Sequence, residues 1–320
     1  MTRTTSSPSQ ACPSSGLQQP ISLRWRRCRD LPCGMLSTCS VIVEEKLYIG
    51  GGNDDGRTIY EYQPQEDKWL KLEVYQFKCF AMATLNKKLT LVGGRDTSNR
   101  PWQVTNQIAV WETKGGSHQW VHPYSNMPTR RYSPAVATHN QWLVVAGGRA
   151  GFSDLATVEV LNAHSRQWLS VSPLPFTCCA MTSAIVQDKL FLIGGSLTKQ
   201  TLAVSLSVIT TKKSAQWQTL PPPQLEWSAA IAFHGSLLAI GGCHGNDLST
   251  AIHIYQPDTK QWTKVGDLPT PRSSCSCTLL PSGEILVAGG YDSNGKRTSR
   301  VDTATLNQDI LYTDMGTSFD

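Results

Sequence analysis

Apolar residues along this chain gather in short runs, and six of those runs end in a pair of glycines. Residues 47–50 lead into Gly51 and Gly52, 89–92 into Gly93 and Gly94, and 143–146 into Gly147 and Gly148. Residues 190–193 lead into Gly194 and Gly195, 237–240 into Gly241 and Gly242, and 285–288 into Gly289 and Gly290. Short apolar or β-branched runs bounded by turn formers are strand signals. A turn-rich stretch follows each pair, then a second strand at 59–62, 108–111, 158–161, 204–208, 252–255 and 301–304. A polar turn, a strand bearing Trp, and a strand of small and apolar residues follow in the first five units. The pattern predicts four strands per unit, a to d from the inside outwards, in an antiparallel meander.

The first glycines of successive pairs lie 42, 54, 47, 47 and 48 residues apart. A recurring spacing of this size is the mark of a repeat architecture and overrides a domain count taken from length. Trp69, Trp120, Trp168, Trp217 and Trp262 stand 24, 27, 26, 24 and 27 residues before the next pair. No Trp follows the sixth pair, whereas Trp25 stands 26 residues before the first. The N-terminal strand is therefore expected to complete the last unit of a closed ring, which leaves no gap between its ends. Glycine tolerates positive φ and close backbone approach, and a Trp on the outer strand can pack into the space between units.

These residues resemble the kelch repeat over about residues 21–306. No Trp-Asp dipeptide of the WD type occurs. The resemblance implies an all-β, six-bladed kelch-type β-propeller closed by its N-terminal strand. Residues 1–20, rich in Ser, Thr, Pro and Gln, read as a disordered lead, and 307–320 as a C-terminal tail.

Composition narrows the function. No apolar stretch of about 18 residues occurs, so no membrane helix is expected. No apolar h-region marks a secretory signal, so a cytoplasmic chain is expected, with a nuclear one also admitted. The 10 Cys then read as reduced thiols; none form a C-x-x-C pair, and no metal or cofactor is expected. Cys39, Cys79, Cys179, Cys275 and Cys277 are expected on inner strands as small buried residues. The net charge of +5, concentrated in Arg24, Arg26, Arg27 and Arg29, is too small for a nucleic-acid stripe. Neither nucleic acid nor membrane is expected as a partner.

The meander puts b–c loops and d–a junctions on one face, and a–b and c–d turns on the other. The second face carries short polar turns around Lys46, Lys88 and Gln141. The first carries Lys78, Arg100, Trp102, Arg131, Tyr132, Phe176, Trp227, His244, Arg272 and Tyr291, the candidate contacts for a partner protein or peptide. Arg, Trp and Tyr dominate binding hot spots, and loops on a rigid scaffold carry function. Arg131 and Arg272 stand in the family's Pro-x-x-Arg place, where kelch receptors grip acidic peptides; the alternative is that they bond blade carbonyls.

The resemblance implies a protein-interaction scaffold, including the substrate-recognition role in ubiquitin ligases that many animal relatives have. Those relatives carry a BTB domain ahead of the propeller, and 20 residues precede the ring here. Some kelch-type propellers are enzymes, so the alternative is a metal or acid/base site at the channel mouth. Its best local candidates are Cys243, His244 and Asp247 with Glu226. A turn-forming role for residues 245–247 is simpler.

Overall fold

A computed structural model describes residues 23–51, 57–72, 75–96, 102–195, 200–211, 215–223, 225–257 and 259–306. Gly52, Arg100, the lead and the tail lie outside the described residues. The described chain forms six four-stranded antiparallel sheets arranged as the blades of a propeller. Blade 1 runs Cys39–Val43, Lys46–Gly50, Ile59–Gln63 and Lys68–Lys71. The inner strands of blades 2 to 5 are Ala81–Leu85, Ala135–His139, Thr182–Val186 and Ala229–Phe233. Blade 6 takes Ser276–Leu279, Ile285–Ala288 and Val301–Leu306 from the end of the chain and Leu23–Arg27 from its start. Leu23 lies opposite Leu306 and Trp25 opposite Ala304, so the N-terminal strand closes the ring as expected.

Side chains alternate across a strand, and in a propeller both faces of a blade are covered. The b strand of blade 3, Trp142–Ala146, illustrates the result. Leu143 and Val145 join the core between blades 2 and 3, whereas Val144 and Ala146 join that between blades 3 and 4. Burial on both faces is why these strands read as unbroken apolar runs. Six such clusters occur among the described residues, one at each blade interface.

The repeat tryptophans bind the blades further. The indole N–H of Trp69, Trp168, Trp217 and Trp262 donates to the carbonyl of Arg29, Ser125, Ser172 and Pro221, each in the d–a region of the preceding blade. Trp25 makes the same bond to Asp267, at 2.8 Å, across the closure. Trp120 packs in the blade 1–2 core. The glycine pairs stitch one blade to the next: Gly148 N–H donates to the Cys178 carbonyl at 2.9 Å, and Gly242 N–H to that of Arg272 at 2.9 Å. Gly147, at φ +61°, lies so close to the Cys178 carbonyl that a Cβ would collide with it.

Two expectations about elements need correction. The strand expected at 204–208 is Thr201–Ser205, followed by a helical turn at Leu206–Ile209 that buries Leu206 and Ile209. Those two side chains enter the blade 3–4 core, and tertiary burial overrides the β-branched sequence there. Cys79, Cys179 and Cys275 precede their inner strands instead of lying within them; Cys39 and Cys277 are on strands. No helix among the described residues is long and apolar enough to cross a membrane.

Candidate interaction face

The b–c loops and the d–a junctions pair with each other, which places them on one face. Lys78 bridges to Arg95, Tyr132 to Arg149, Glu226 to Cys243 and Ser273 to Tyr291. Small hairpins rise beside these bridges: Arg95–Asp96 with Gln103–Val104, Arg149–Ala150 with Ser153–Asp154, and Cys243–His244 with Asp247–Leu248. The opposite face is turned by tight loops such as Glu44-Glu45, Asn86-Lys87 and Gln187-Asp188, with both residues at positive φ. Such turns match the twist of a two-residue hairpin and leave little to grip a partner.

The hairpins of blades 2 and 3 present the main apolar features of the face. Phe152, at the tip of the blade 3 hairpin, is 98% exposed, and Trp102 on the blade 2 hairpin is 45% exposed. Between them, the Arg95 guanidinium lies 4.6 Å from the Trp102 ring centre and 4.6 Å from that of Tyr132. This cation–π stack holds Trp102 without burying it. The Arg95 Nε has no hydrogen-bond partner. The Tyr132 hydroxyl donates to the Gly151 carbonyl at 3.3 Å, tying the stack to the hairpin that carries Phe152. Arg149 bonds Asp154 across that hairpin at 2.5 Å, and the bond raises its pKa above the ordinary guanidinium value.

Arg131 and Arg272 are not available to a partner, which corrects the expectation made for them. Arg131 is 0% exposed and Arg272 is 1% exposed. Arg131 donates to the carbonyls of Gly147 at 2.6 Å and Thr157 at 3.1 Å, and pairs with buried Glu159 at 3.0 Å. Arg272 donates to the Arg300 carbonyl at 3.2 Å and pairs with buried Asp302. The junction turns each guanidinium inwards, where blade carbonyls and one acid use its donors. Phe176 is likewise directed into the blade 3–4 core. Tyr132 is buried beneath Arg95, while Lys78, Trp227 and Tyr291 are partly exposed and His244 is exposed.

Arg95 and Phe152, both in b–c loops of this face, were not among the contacts expected from the sequence. An apolar side chain between Gly151 and Ser153, in a stretch too short to bury it, was the available signal for Phe152. Arg95 had none, because its role comes from rings in two different loops.

The junctions surround a central channel of about 480 Å³, lined by Ser, Thr, Ala, Cys and Met side chains among others. Burial pushes the Cys39 thiol up to about 12 and the Cys275 thiol up to about 11, so both are protonated at neutral pH. Among the described residues, no three His, Cys, Asp or Glu side chains converge to hold a metal ion. Cys243, His244, Asp247 and Glu226 thus do not assemble into a ligand set.

The model of the KLHDC2/KLHL20/DRC7 Kelch-repeats domain matches residues 20–195 and 79–290. The chain is 26% identical to mouse Kelch-like protein 35 over 249 residues, covering 76% of the chain and 40% of that protein. Identity to the human Kelch-like protein 35 is 25%, over 92% of the chain and 50% of that protein. The Kelch repeat and BTB domain-containing protein 1 of vaccinia virus (strain Copenhagen) is 23% identical over 85% of the chain and 48% of its own length. The chain thus spans about half the length or less of these relatives. A solved structure titled "Structure of YjhT" superposes with a TM-score of 0.72 at 19% identity, covering 88% of the chain and 97% of that structure. Six glycine pairs, interblade tryptophans, a closed ring and the matching family model together make this chain a member of the kelch-repeat family.

Proposed function

We propose that this chain is a protein-interaction scaffold that binds its partner on the b–c and d–a face and does no chemistry on it. The observation that carries the reading is the exposure of Phe152 and Trp102 on adjacent hairpins of that face. Large exposed aromatics bury little in the ring, and aromatic anchors dominate protein interfaces. Arg95, Lys78, Tyr291 and His244 extend the surface around them. The kelch-like relatives support the reading by their family. The finer proposal is a substrate-recognition module of a ubiquitin ligase.

Affinity purification from cells, with identification of the captured proteins, tests both. Trp102→Ala with Phe152→Ser should abolish capture, and Lys46→Ala with Lys88→Ala on the opposite face should leave it intact. The reverse pattern would overturn the face. A cullin scaffold among the captured proteins supports the ligase reading, and a set lacking one ends it.

A further inference from the structure

Four arginines of the junctions and b–c loops are matched to a carboxylate within the ring. Arg131 pairs with Glu159, Arg149 with Asp154, and both Arg272 and Arg300 with Asp302. Arg95 differs from them: its guanidinium has no ion pair and no hydrogen bond among the described residues. Its contacts are the Trp102 and Tyr132 rings, each centred 4.6 Å away. The rings attract the cation but offer its N–H groups no oxygen acceptor. The Nε is buried, whereas the two terminal nitrogens reach solvent. A cation already fixed in this way loses little rotamer freedom when a partner group arrives.

The charge around it has the same sign. Glu159 and Asp154 are bound to Arg131 and Arg149, which leaves Lys78, Arg95 and exposed Arg130 against Asp96 among the described residues of these loops and junctions. Position adds an independent argument. Arg95 lies between Trp102, 45% exposed, and the hairpin that carries Phe152, 98% exposed. A partner that covers both aromatics also covers the guanidinium. Taking an unpaired cation out of water is costly, so a wholly apolar partner segment would lose on Arg95 much of what it gained on the two rings. A carboxylate removes that cost, because its two oxygens match the paired donors of a guanidinium edge.

We propose that the partner presents an Asp or Glu side chain to the open edge of Arg95, next to a large apolar side chain that packs on Trp102 and Phe152. The site rests on the proposed use of this face for protein binding. It lies on the hairpins of blades 2 and 3, and it uses neither of the buried junction arginines, Arg131 and Arg272.

The test selects a phage-displayed library of random peptides against the full chain and measures the binding of synthesised winners with blocked ends. Winners should carry an Asp or Glu close to a large apolar residue, and its change to Asn or Gln should weaken binding about tenfold or more. Arg95→Met keeps an apolar stem beside the rings and should weaken the same peptides about as much. In that variant the acid-to-amide change should make little further difference, because the two changes remove one contact. The variant should melt near the wild type, since Arg95 pairs with no described acid of the ring. If it melts far lower, Arg95→Lys takes its place in the same comparison, and the acid-to-amide change should again cost less than in the wild type. An acid-to-amide change that costs as much in the Arg95 variant as in the wild type would overturn the site, because the acid then acts elsewhere. Winners without an acid that are lost with Trp102→Ala and Phe152→Ser would overturn the site and leave the face standing. Winners indifferent to all of these changes would overturn both. Winners that bind only with a free C-terminus would assign the carboxylate to a chain end and overturn the side-chain proposal.

Discussion

Arg131 reaches through its junction to Glu159, and removing either partner strands the other away from water. Thr129 also bonds the same carboxylate, so the acid is held by three donors when its backbone bond is included. Breaking a buried pair by deleting one member costs about 3–5 kcal/mol. Arg131→Ala should therefore lower the denaturant midpoint of the whole ring strongly, and adding Glu159→Gln should recover part of the loss. A midpoint equal to that of the wild type would show that the pair contributes nothing. The same arrangement recurs three blades away with Arg272 and Asp302, where Arg300 gives the acid a second cation at 2.7 Å. At both places an arginine on the interaction face of the sequence belongs, in space, to the core.

Within one blade, the d strand is the weakest element by its own sequence, since much of it faces solvent. Gln167–Val171 of blade 3 has exposed or partly buried residues throughout. It is held by Trp168, which packs in the blade 2–3 core and bonds the Ser125 carbonyl at 3.0 Å. Trp168→Ala should cost roughly 3–5 kcal/mol, the scale for deleting a packed aromatic. Trp168→Phe keeps much of the packing and loses the hydrogen bond, so it should cost less. Thermal denaturation of the pair separates the two contributions, and equal destabilisation by both would assign the whole effect to the indole N–H.

Across the molecule, the ring is only as strong as its closure. Leu23–Arg27 supplies the outer strand of blade 6, and Leu23, Trp25 and Gly266 bring it against blade 5. Deleting residues 1–28 removes that strand and should lower the melting temperature of the whole ring. Deleting residues 1–18 spares it and should leave the melting temperature near that of the wild type. Identical melting for the two truncations would show that the closure carries no weight. Leu23 and Leu306 are paired, at the strand ends away from the junctions. The described chain therefore enters and leaves the ring on the side opposite the proposed interaction face.

The sequence by itself determined the blade count, the strand order and the closure, because these are properties of spacing. A glycine pair is needed wherever one blade backs onto the next, and a Trp wherever two blades must be filled, so both recur at the repeat period. It also marked the face that carries varied loops, since strand alternation follows from the meander alone. What it did not determine is which side chains of that face look outwards. Arg131 and Tyr132 are adjacent in sequence to exposed Arg130, yet both are buried, one by a carboxylate of its own blade and the other by Arg95 from a neighbouring one. Phe176 is drawn into a core, while Phe152 is left on a hairpin tip. Exposure and pairing depend on contacts between distant parts of the chain, and those contacts arise from the closed ring.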